Sequence, residues 1–100
     1  MSETKKFIQL ERIRLEVRKK YFDYRERCNL MDLSEEDIQH VVEIGTSILC
    51  TKWKIGPEGG SFVHSVVDND LMGAFSRADD VNVKAIHFYT MLIYNTSYIN

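Results

Sequence analysis

The sequence predicts an all-α fold, a small helical bundle with a long N-terminal amphipathic helix as a packing arm. Three observations carry that expectation. Apolar residues recur at three- and four-residue steps through most of the chain. Ser, Asp or Gly stands before each periodic stretch where a helix cap belongs. No stretch alternates apolar and polar residues as a half-buried strand would.

The first helix is expected over about residues 3–28, with Ser2 as cap. Phe7, Leu10, Val17, Tyr21 and Tyr24 form its stripe, Arg14 interrupts it, and Ile8, Ile13, Leu15 and Phe22 widen it. A helix this long in so small a protein should extend past the core unless another chain covers it, which marks it as a dimer element. Asn29 to Leu33 breaks the pattern. Ser34 then opens a second helix, with acids in the first turn where the helix dipole favours them. Ile38, Val41, Val42, Ile48 and Leu49 share one face with Gly45, whose cost in helix propensity (about 1 kcal/mol) implies close approach of another backbone. Ile55-Gly56-Pro57 ends that helix.

A third helix, capped by Gly60 or Ser61, is expected through residue 78 on the spacing of Phe62, Val63, Val66, Val67, Leu71, Ala74, Phe75 and Ala78. Asp68, Asn69 and Asp70 are poor mid-helix residues, so a break with a new cap near Asn69 is the alternative. Asp79 or Asp80 caps a fourth helix with Ala85, Ile86, Tyr89, Leu92 and Ile93 on its inner face, ending at Asn95 to Ser97.

One hundred residues make a single domain over 1–100, with a basic N-terminal helix (1–30) and a helical core (31–100). The net charge of −2 hides an asymmetry. Residues 1–30 carry nine Lys/Arg against five acids, the remainder four against ten. Parts of opposite sign can attract within one chain or between two copies, and the expected partner is a second copy of this chain, in a homo-oligomer. Overall acidity and the lack of a docking motif argue against nucleic acid as a partner. There is no membrane span and no secretory signal, and two cysteines without metal-type spacing suit a reducing compartment. The expected location is the cytoplasm.

The candidate site lies between Pro57 and Asp79. On a continuous third helix Asp70 and Arg77 fall within roughly 20° of each other and inside the apolar arc, with Gly73 between them. Buried charge must be paired or bound, so the two are either an ion pair, direct or through Asn82 or Tyr89, or the polar wall of a pocket. The turn Gly59-Gly60-Ser61 at a helix start is either a tight connection or an anion site built from backbone amides. It is neither a Walker loop nor a dinucleotide fingerprint. His40, His64 and His87 form no metal-binding spacing, and no nucleophile elbow surrounds Ser61 or Ser65. No metal, no cofactor and no enzymatic activity is expected.

The pattern Gly59-Gly60-Ser61-Phe62, Asn69-Asp70-Leu71, Arg77-Ala78-Asp79 and Tyr94-Asn95 resembles small phage- and prophage-encoded proteins of unassigned role, over the last half of the chain. That resemblance implies a stoichiometric binder of host components, some such proteins being oligomeric sponges for nucleotide immune signals and so agents of host defence evasion. The leading expectation is a phage accessory protein that sequesters a small phosphorylated, nucleotide-type ligand. Gly59, Gly60, Ser61 and Arg77 would take phosphate, Asn69 and Asp70 hydroxyls or a base edge, and Phe62 or Tyr89 would stack. The alternative is an oligomeric protein–protein interaction module that docks on a host or phage protein through its N-terminal helix.

Overall fold

A computed structural model describes residues 3–100, and the expected cap Ser2 lies outside them. Among the described residues the chain is all-helical, in the order α1 (Glu3–Tyr24), α2 (Glu35–Trp53), α3 (Ser61–Val67), α4 (Leu71–Arg77) and α5 (Asp80–Asn95). None of these helices is long and apolar enough to cross a membrane.

α1 runs most of the length of the molecule, its first two turns exposed and its later turns packed into the core. Its 22 residues span about 33 Å at helical rise, and the longest dimension of the protein is 37 Å. Ile13, Val17 and Tyr21 are wholly buried against the rest of the core. Past the helix, Asn29 at φ 63° turns the chain so that Cys28 and Leu30 also enter the core. The buried Tyr21 hydroxyl donates to the Leu30 carbonyl at 2.6 Å and fixes that turn. Arg14, which interrupts the apolar stripe, reaches Glu43 on α2 at 2.8 Å and also pairs with Glu11. The hydrogen bond to Glu43 is the main reason its guanidinium is held above its ordinary pKa.

α2 is the central helix, packed against α1, α3 and α5. Ser34 caps it as expected, its hydroxyl accepting from the Asp37 amide at 3.1 Å. Lys54 at φ 59° and Gly56 at φ 65° end it in the left-handed region. Gly45 is indeed at a close approach, but side chains rather than a backbone make it. A Cβ there would lie 2.8 Å from Val17 Cγ1 of α1 and 3.0 Å from Leu92 Cδ2 of α5. Asp79 caps α5 through the Asn82 amide at 2.7 Å, and its other oxygen meets His40 Nε2 of α2 at 2.9 Å. Beyond α5, residues 96–100 fold back on α1. The buried Gln9 donates to the Tyr98 hydroxyl (2.9 Å) and the Ile99 carbonyl (3.0 Å), and Tyr98 meets Trp53 edge to face.

The continuous third helix is overturned in favour of the break. Asn69 takes φ 60°, the left-handed conformation that Asn tolerates, and its neighbours close both ends. The Asp70 amide donates to the Ser65 carbonyl at 2.8 Å, ending α3. The Asp70 carboxylate accepts from the Gly73 amide at 3.0 Å, starting α4. The break rephases the helix: Gly73 and Ala74 face inward, whereas Leu71 (63% exposed) and Phe75 (47%), expected in the core, are at the surface beside Met72 (82%).

Candidate functional site

α4 carries two surfaces on different sides of its axis. The inner edge holds Asp70 and Arg77, and the outer face holds Leu71, Met72 and Phe75. Arg77 Nη1 lies 3.7 Å from Asp70 Oδ2 and donates to Ser65 Oγ at 2.9 Å, which ties α4 back to α3. Ser65 in turn donates to the Ser61 carbonyl, so the link ends in the α3 backbone. Gly73 is what lets the pair close: a Cβ at that position would fall on Asp70 Oδ2 and Arg77 Nη1.

The expected burial of this pair is corrected. The Asp70 and Arg77 side chains are 52% and 46% exposed, because the break at Asn69 turns them out of the apolar arc. Nor does the link run through Asn82 or Tyr89, which bond to each other inside α5, the Tyr89 hydroxyl donating to Asn82 Oδ1 at 2.6 Å. Both contacts of Arg77 use Nη1, which leaves its Nη2 and Nε donors for an anion. A planar guanidinium presents that second edge as a fork to phosphate or carboxylate.

The other sequence-selected residues scatter. Phe62 and Tyr89 meet each other, centroids 5.8 Å apart, but both are buried in the core and present no open face for stacking. Burial also pushes the Tyr89 phenol far above its usual pKa. The Gly59 amide donates to Thr51 Oγ1 of α2 at 3.0 Å, so the glycine turn uses that donor to dock on α2. Gly60 and Ser61 are exposed at the start of α3, with no side-chain cap. Asn69 and Asp70 line a cavity of about 60 Å³ with Ser65, Ala74, Ile86 and Thr90. Ligand pockets run to roughly 300–1,000 Å³, so this cavity alone holds no nucleotide.

Sequence reasoning passed over Ser65, the third member of the Arg77 link, and the outward turn of Leu71 and Phe75. The D-N-D triple at 68–70 was the signal for both, since a left-handed Asn69 resets every face beyond it.

A second feature lies on α1. Ile8 (47% exposed), Leu15 (67%) and Phe22 (41%) repeat every seven residues along its outer side. Arg18 and Arg25 lie over the Phe22 ring at 5.3 and 5.0 Å. A larger cleft, about 470 Å³, opens between α1, α2 and the 55–58 turn, with Phe7, Leu10, Cys50 and Ile55 among its walls. Burial pushes the Cys50 and Cys28 thiols up, so neither is poised as a thiolate. Among the described residues no cluster of His, Cys, Asp and Glu is arranged to hold a metal ion.

The chain matches none of the protein families, curated proteins or solved structures with which it was compared.

Proposed function

We propose that this protein is a stoichiometric accessory protein that sequesters a small phosphorylated, nucleotide-type ligand at the Asp70–Arg77 edge of α4. The observation that carries this reading is a half-exposed Arg77 fork, held from one side by Asp70 and Ser65 with its other donors left over. A prepositioned fork of this kind suits a phosphate, and the bare apolar side of the same short helix is surface that a second chain could cover. Arg77 would take phosphate and Asn69 or Asp70 a hydroxyl or base edge, while Phe62 and Tyr89 serve the core. The resemblance to small phage- and prophage-encoded proteins of unassigned role implies a stoichiometric binder and so supports a protein that holds rather than turns over its ligand.

Calorimetric titration with inorganic phosphate and a panel of linear and cyclic nucleotides tests this. The expected result is saturable binding of one nucleotide class, recovery of that nucleotide unchanged, and loss of binding in Arg77→Ala with an unaltered melting curve. Failure of the whole panel to bind, or an Arg77→Ala variant that binds as the wild type does, overturns it.

The row of exposed apolar residues on α1 favours a second reading, an interaction module that docks on a host or phage protein through its N-terminal helix. A photo-crosslinking residue placed at Leu15 separates the two. Adducts of one discrete foreign mass support docking on another protein, and adducts confined to this chain count against it.

A further inference from the structure

The molecule exposes two apolar patches whose rims carry opposite charge. On α1 the row Ile8, Leu15 and Phe22 lies within about 40° of arc. Arg12 and Lys19 flank it on one side and Arg18 on the other, with Arg25 beyond Phe22. Glu11, the carboxylate beside the N-terminal half of that row, is already held by Arg14, while Asp23 and Glu26 lie towards its other end. On α4 the patch is Leu71, Met72 and Phe75. The chain sets Asp68 just before that helix and Asp80 just after it, both exposed, while Asp79 is held by His40. The local cation, Arg77, is engaged by Asp70.

We infer that the α1 row of one copy docks on the α4 patch of the next, so that the protein assembles head to tail. The step goes beyond the proposed function and uses the side of α4 turned away from Arg77. Charge decides the arrangement. Two α1 rows facing each other would bring Arg12 and Lys19 against their own copies, and two α4 patches would oppose Asp68 and Asp80, Arg18 being paired with Glu35 and Asp79 with His40. The mixed contact sets each apolar patch on the other with unlike charges around the rim. Unless the two patches meet reciprocally about a two-fold axis, such a contact leaves one of each free on a pair. It therefore continues until it closes into a ring, or runs on as an open chain.

Light scattering on eluting peaks tests the inference with wild type and two single variants, Leu15→Glu and Met72→Lys. Both positions are mostly exposed, so both variants should fold, as their circular dichroism would verify. Wild type is expected to elute as an assembly larger than a dimer that high salt weakens. Each variant alone should be monomeric, and an equimolar mixture should form a one-to-one heterodimer and nothing larger, because each supplies the patch the other has lost. A wild type that is monomeric at all concentrations, or that stops at a dimer, overturns the inference. So does a Met72→Lys variant that assembles alone as wild type does, the mark of α1 pairing with α1. Native mass spectrometry separates this step from the proposed function. Nucleotide retained on a monomer keeps the ligand site and overturns the assembly, whereas an assembly that binds no nucleotide supports the contact and overturns the ligand.

Discussion

Gly45 and Gly73 are both buried glycines inside helices, and they do opposite things. At Gly45 the missing side chain lets Val17 and Leu92 interlock across α2, in the middle of an apolar seam that joins α1, α2 and α5. At Gly73 it lets a carboxylate and a guanidinium close over a seven-residue helix whose outer face is bare. The first absence contributes packing, which carries most of a small protein's stability. The second contributes a half-solvated ion pair, whose net worth is about 0–1 kcal/mol. A surface that adds so little to folding is free to be shaped by something else, and that contrast directs attention to α4.

The seam should show the largest effects. Leu92 is wholly buried, so Leu92→Ala should destabilise by about 2–5 kcal/mol in urea unfolding. A loss below 1 kcal/mol would mean that α5 is not packed on α2 as described. Tyr89→Phe comes next. It removes the donor to a buried Asn82 and should cost about 1–3 kcal/mol. Because burial raises the Tyr89 pKa, its contribution is complete below the ordinary tyrosine value and declines as pH rises above it. Alkaline titration should therefore show one phenol that ionises only as the protein unfolds, and Tyr89→Phe should remove that late step.

Gly45→Ala tests the interlock itself. The new methyl group would crowd Val17 and Leu92, at a cost of about 1–3 kcal/mol, while alanine returns about 1 kcal/mol of helix propensity. The net expectation is a modest loss of about 1 kcal/mol. It should shrink or reverse in the Leu92→Ala background, where the removed side chain leaves room for the methyl group. Strict additivity in that double-mutant cycle would show that the two positions do not touch.

Most of the fold was legible because the helices follow apolar spacing and carry local caps. Ser34, Asp79 and the Ile55–Pro57 stop act through neighbours three or four residues away, which a sequence displays. The site was less legible because its geometry depends on one dihedral. Residues 61–78 keep enough helical spacing to read as one helix, and only the left-handed Asn69 decides that Leu71 and Phe75 point outward and that Asp70 becomes a cap. Residues 96–100 were illegible for a different reason. Their fold-back on α1 rests on Gln9, and a lone glutamine inside an apolar stripe does not announce a partner 90 positions away.

The smallest effect on stability should be the most telling. In Gly73→Ala the new methyl group falls on the Asp70 carboxylate and the Arg77 guanidinium, the far ends of flexible, half-exposed side chains that can swing into solvent. The lost ion pair costs little, and alanine is the better helix former by about 1 kcal/mol, so stability should change by less than about 1 kcal/mol in either direction. If the pair serves only to hold α4 in place, nothing else changes. If it positions Arg77 for an anion, nucleotide binding measured by calorimetry should drop sharply in a protein that melts where the wild type does, and Arg77→Lys should restore little, since an ammonium lacks the fork. Retained binding in Gly73→Ala would return the pair to a purely structural role and move the search for function to the outer face of α1.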